Sequence, residues 1–157
     1  PKNFVTVFGR TYQSISYDKV RLILIYNSDN YLGLDGVQLS WVEDELARTQ
    51  GEEGSELTFV FAPTPLYHPS SDHVKGRVEK NLKQQAKSLI YQIKHRAVKK
   101  MFAGDTHYFS EYTEPETKLP MVTVGAVTIE RNPQTPRFAI GYVFEDGTIK
   151  VMDVEIK

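Results

Sequence analysis

Hydrophobic positions along the chain follow two periods. Three short runs of β-branched, aliphatic and aromatic residues, Val20 to Tyr26, Thr58 to Ala62 and Val98 to Ala103, are nearly continuous, as expected of strands buried on both faces. Between them the spacing turns helical. From Gly36 to Gln50, Leu39, Val42 and Leu46 recur on one side with Trp41 beside them; Asp35 is placed to cap the first turn, and Gly51 and Gly54 to end the helix. From Val78 to His95, Val78, Leu82, Ala86, Leu89, Ile90 and Ile93 line one face and Lys, Gln and Glu the other. The basic end, His95-Arg96, suits the negative pole of the helix dipole.

The flanks read as β. Tyr12 to Ser16 is a short mixed strand turning at Tyr17-Asp18-Lys19. After Ala103 come His107 to Tyr112, Met121 to Ile129, Arg137 to Glu145 and Thr148 to Ile156, the last two joined by Asp146-Gly147, a two-residue hairpin signal. Strand, helix, strand, helix, strand and an antiparallel tail make an α/β layered sandwich with a mixed sheet. In such folds function gathers beyond the carboxyl ends of the strands, which singles out the loops 63–71 and 104–107.

Length and composition narrow the classes. With 157 residues the chain suits a single domain spanning 1–157. The 19 Lys+Arg nearly cancel the 20 Asp+Glu, so bulk charge supplies no attraction for nucleic acid. No apolar run approaches the ~20 residues of a membrane span. Cysteine is absent, excluding thiolate metal sites and cysteine nucleophiles and leaving His68, His73, His95 and His107 as the nitrogen ligands. The start, Pro1-Lys2-Asn3-Phe4, has neither Met nor a basic segment with an apolar core, so an upstream part is expected.

Gly104-Asp105-Thr106-His107 is the most suggestive tetrapeptide. Gly permits a sharp turn off the strand, and an extended backbone would point Asp105 and His107 the same way, a carboxylate and imidazole pair suited to zinc, iron or manganese. The plain alternative is an Asx-type turn with a surface histidine. His68 and His73, with Tyr67, sit in a loop of three prolines that suits a substrate wall and has an ordinary exposed connection as its plainer reading. Tyr108, Phe109 and Tyr112 are read first as packing. Phosphate-binding glycine loops, nucleophile elbows and His-Glu-x-x-His helices are all absent.

The order of these elements is more specific than any one of them. Thr11-Tyr12-Gln13-Ser14-Ile15-Ser16-Tyr17, the Gln38-Leu39-x-Trp41-Val42 helix, Phe59-Val60-Phe61 running into Pro65-Leu66-Tyr67, then Met101-Phe102-Ala103-Gly104-Asp105-Thr106-His107 and Leu119-Pro120-Met121-Val122-Thr123-Val124-Gly125 together resemble the carboxyl-terminal portion of a calcineurin-like metallophosphoesterase. The resemblance implies half of a four-layer αββα sandwich. It also implies two divalent metals (Mn, Fe or Zn) whose bridging hydroxide attacks a phosphoester.

Three of the family's five metal motifs lie upstream of the matching region. Of the other two, the fourth places a histidine where this chain has Pro63, and the fifth, Gly-His-x-His, reads Gly104-Asp105-Thr106-His107. The resemblance thus implies His107 and Asp105 as metal residues; Tyr67, which matches the family's Pro-x-Tyr pattern, joins His68 and His73 of the same loop as substrate-side candidates. A dinuclear centre takes roughly six to eight protein ligands, so this chain alone is not expected to form one. Two functions follow: part of a phosphoesterase hydrolysing phosphoesters when complete, or a degenerate, non-catalytic binding or structural module. Either way one sheet face is expected to be covered by the missing amino-terminal half or by self-association.

Overall fold

The continuous apolar runs become the middle of a six-stranded mixed sheet. The computed structural model describes residues 2–48 and 57–157. In chain order the elements are α1 (Lys2–Phe8), β1 (Gln13–Tyr17), β2 (Val20–Leu24), α2 (Gly36–Arg48), β3 (Leu57–Ala62), α3 (Asn81–His95), β4 (Lys100–Ala103), β5 (Ser110–Thr113), β6 (Pro120–Thr123), β7 (Arg137–Val143) and β8 (Ile149–Glu155). Strand order is β1-β2-β3-β4-β6-β5, with the inner four parallel and the two edges antiparallel to their neighbours. Asp18, at φ 51°, makes the tight β1–β2 turn.

Register sets the core. Ile23, Val60, Met101 and Met121 are successive partners across the four parallel strands and are all buried. Their cluster includes Val42 and Leu46 of α2 and Leu89, Ile90 and Ile93 of α3, so both helices lie on this one face. Each such side chain contributes about 1.5–3 kcal/mol by leaving water.

The opposite face is also apolar. Leu24, Phe61 and Phe102 are register partners there, the two rings stacked at 4.9 Å and 11°. Its cover is the β7–β8 hairpin, a separate two-stranded sheet turning at Gly147 (φ 81°). The cleft of about 320 Å³ between them is lined by Phe61, Phe102, Val143 and Ile149 among others. Leu22, Leu24, Phe61 and Phe102 remain only partly buried, so the hairpin does not close this face.

Several boundaries differ from the sequence reading. The Val20 to Tyr26 run leaves the ladder after Ile25, whose N–H still donates to Phe61, because the Gln38 side chain takes over both backbone groups of Tyr26. Asp35 does cap α2, its carboxylate accepting the Gln38 N–H at 2.8 Å; the Gln50, Gly51 and Gly54 end falls outside the described residues. The second long helix starts at Asn81 rather than Val78, since the chain first turns through Gly76 at φ 89°, where a Cβ would meet the Lys83 backbone at 2.5 Å.

Later elements shorten for local reasons. The expected strand Met121 to Ile129 is Pro120–Thr123, after which Asn132 ties the carbonyls of Ala126 and Thr128 into a turn. The expected His107 to Tyr112 strand begins only at Ser110. The short α1 was not anticipated; its Phe4 and Phe8 rings pack at 4.9 Å and stay largely exposed. Among the described residues no helix is long and apolar enough to cross a membrane.

Candidate functional site

The loops singled out by sequence lie at one edge, beyond the carboxyl ends of β3 and β4. Parallel pairing of β3 with β4 sets Ala62 against Ala103, so the following residues meet: Gly104 N–H donates to Pro63 O at 3.0 Å. A Cβ on Gly104 would stand 3.3 Å from that oxygen, which explains glycine here. Pro63 lines a cleft of about 390 Å³ with Phe4, Thr11, Tyr26 and Phe61.

The turn after Gly104 is not extended. Asp105 (φ 66°) and His107 (φ 59°) both take left-handed backbone, flanking buried Thr106, whose N–H bonds back to Gly104 O at 2.8 Å. Such conformations are rare for non-glycine residues and concentrate at functional sites. The reading of Asp105 and His107 as side chains aligned by an extended strand is therefore corrected: the sharp turn is taken by these two residues themselves, not by Gly104. Asp105 is exposed.

His107 is oriented by a neighbour sequence spacing did not reveal. Its Nδ1 lies 3.1 Å from the carbonyl oxygen of Arg131. A carbonyl only accepts, so the hydrogen-bond network puts the neutral ring's proton on Nδ1 and leaves the lone pair on Nε2, the tautomer arrangement of metal-binding histidines.

His68 is buried in an aromatic cluster. Ser70 N–H donates to its Nδ1 at 3.1 Å, which makes Nε2 the protonated nitrogen; Nε2 stands 3.1 Å from Tyr108 Oη. Tyr112 meets the ring edge-on at 4.6 Å, and its hydroxyl donates to Tyr67 O at 2.7 Å. Burial pulls the His68 imidazole below its ordinary pKa and pushes the Tyr112 phenol well above its own, the nearby Tyr108 and Tyr67 adding to the latter. Tyr108, read from sequence as strand packing, instead ties the proline-rich loop to the Gly104 turn. His73 is exposed and pairs with Arg77 Nη1 at 3.1 Å. The structure thus brings Tyr67 and His68 together with Tyr108 and Tyr112, while His73 faces Arg77.

Sequence reasoning missed Asn27, buried at the end of β2. Its side chain accepts Thr64 N–H at 2.9 Å and donates to Thr64 O at 2.8 Å, fastening the β2 loop to the β3 loop. The available signal was a carboxamide directly after an apolar run.

The half-sandwich, with parallel strands under two helices and loops gathered at their carboxyl ends, is similar in fold to part of larger solved structures. Two solved structures carry the comparison. GAP50, the anchor in the inner membrane complex of Plasmodium, is similar at TM-score 0.61 and 13% identity, over 92% of this chain and 49% of that one. Purple acid phosphatase PPD1 from yellow lupin (Lupinus luteus) seeds is similar at TM-score 0.56 and 15% identity, over 85% of this chain and 28% of that one. The chain therefore spans about half or less of these two structures. No family model and no curated protein matches the sequence.

The family resemblance seen in the sequence implies two metals. The described residues of this chain do not fit such a centre: Pro63 has no side-chain ligand atom at the fourth-motif position, and no three His, Asp or Glu residues gather into a ligand group. Of the two residues the resemblance implies, His107 has its Nδ1 on the Arg131 carbonyl, and Asp105 is an exposed carboxylate two residues before it.

Proposed function

We propose that this chain forms the carboxyl-terminal part of a metal-dependent phosphoesterase, acting on a phosphoester once the rest of the αββα sandwich completes its site. The observation that carries this reading is His107. Its proton is drawn to Nδ1 by the Arg131 carbonyl, its lone pair is kept on Nε2, and it sits on a left-handed turn beyond the carboxyl end of β4. His68 and Tyr67, gathered with Tyr108 and Tyr112 one loop away, serve the substrate side. The missing ligands come from outside the described residues, and the partly uncovered sheet face is where the other half of the sandwich packs.

A second reading is favoured by Pro63. A phosphoesterase fold with that position emptied of nitrogen is a non-catalytic binding or structural module, consistent with its likeness to a protein described as an anchor. Hydrolysis of an aryl phosphodiester and phosphomonoester by the full-length protein, in added Mn, Fe or Zn, separates the two. Metal-dependent turnover that His107→Ala abolishes supports the first; no turnover with any of the three metals supports the second.

A further inference from the structure

Beyond β2 the backbone runs from residue 25 to residue 35 without regular secondary structure, and side chains stand in for a partner strand. Gln38 pairs with both backbone groups of Tyr26, Asn27 with both of Thr64, and Gln85 with both of Leu34 at 2.9 Å each. Inside this frame three carbonyl oxygens converge on one atom. Lys75 Nζ donates to Asn27 O at 3.1 Å, to Leu32 O at 2.6 Å and to Asp29 O.

Lys75 is 3% exposed. A buried ammonium carries a desolvation cost that only full hydrogen bonding offsets, and its three N–H donors meet three acceptors here. The Asp29 carboxylate, held by the Tyr31 and Leu32 amides, adds an opposing charge nearby. The Lys75 backbone N–H donates to Pro65 O at 2.8 Å, so the same residue grips the β3 loop through its main chain and the β2 loop through its side chain.

We propose that the carbonyls of Asn27, Asp29 and Leu32 form a cation cradle whose resident cation is the Lys75 ammonium, making Lys75 the positioning residue that locks the β2 loop to the β3 loop. Oxygen-only cradles of this kind take cations through carbonyl dipoles. The class of ligand that can replace the side chain is a small monovalent cation, ammonium or potassium. Lys75→Met keeps the apolar stem and strands three acceptors. Lys75→Ala strands the same acceptors but opens the space.

Thermal unfolding of the full-length protein tests this in chloride salts of choline, potassium and ammonium at equal ionic strength. Both variants are expected to melt about 5–10 °C below wild type in choline. Lys75→Ala is expected to regain at least half of that loss, saturably, in ammonium or potassium, while Lys75→Met and wild type show no preference among the salts. An unchanged melting temperature for Lys75→Met, or a Lys75→Ala variant indifferent to the cation, overturns the proposal. Nitrogen-15 spectra of the wild-type ammonium groups give a second readout that needs no variant. Slow proton exchange at Lys75 is expected; exchange as fast as at solvent-exposed Lys87 overturns it as well.

Discussion

Gly104 N–H donates to Pro63 O across 3.0 Å, joining the two positions at which the family resemblance places its fourth and fifth metal motifs. Pro63 takes part through its carbonyl, which any residue keeps. The adjacency therefore belongs to the β3–β4 pairing and not to proline. Pro63→His is expected to leave the fold intact and to tighten zinc or manganese binding at least tenfold, a gain of about 1.4 kcal/mol. Isothermal titration of wild type and variant measures it, and equal affinities count against placing the missing ligand here.

Gly104→Ala brings a methyl to 3.3 Å of the same oxygen. The neighbouring backbone must give way, and a loss of about 1 kcal/mol is expected in urea unfolding, in the range of mild overpacking. An unchanged midpoint means that the turn tolerates a side chain and that glycine has another cause.

Glu45 of α2 is buried against Arg21 of β2 at 2.6 Å, with Arg48 at 3.0 Å. Burial pushes its carboxyl upward, but hydrogen bonds from Ser14 and Arg21 and the two guanidinium charges outweigh this and hold it below the usual glutamate range. The unfolded chain then takes up the proton first, so the stabilisation is complete above the unfolded pKa and is lost as pH falls through the folded one. Glu45→Gln is expected to cost about 3 kcal/mol near neutral pH, the cost of stranding one partner of a buried pair, and to flatten the acid limb of stability against pH. A variant that keeps the wild-type acid slope contradicts this.

His68 works with the same sign at higher pH. Its folded pKa is depressed by burial, so the unfolded state binds the proton first and stability declines as pH drops from the ordinary histidine range toward the folded value. Protonation also ends the acceptance of the Ser70 N–H by Nδ1. Chemical denaturation from pH 7 to pH 5 is expected to show a slope that His68→Asn removes; a slope unchanged in the variant assigns it elsewhere.

Much of the fold was legible because burial imposes a period. Val60 and Met101 sit in continuous apolar runs since both sheet faces are apolar, and Leu89 and Ile93 recur at helical spacing since only one side of α3 meets the sheet. The site was legible in its loops and not in its contacts. Nothing local to His107 announces the Arg131 carbonyl 24 residues later, and nothing in the residues around Lys75 announces the Asn27 loop that folds over it. The shared direction expected of Asp105 and His107 does not follow, because alternation assumes extended backbone and both lie in the left-handed region. Tyr108 likewise follows a strand pattern but stands outside β5, free to reach His68.

The proposed function rests on His107 offering Nε2 to a metal beyond the carboxyl end of β4. Cobalt titration of the full-length protein, followed in the nitrogen-15 imidazole spectrum, tests it most directly. His107 Nε2 is expected to shift or broaden first while the Nδ1 proton stays hydrogen-bonded to the Arg131 carbonyl. Loss of the His68 or His73 signals with His107 unmoved would contradict it.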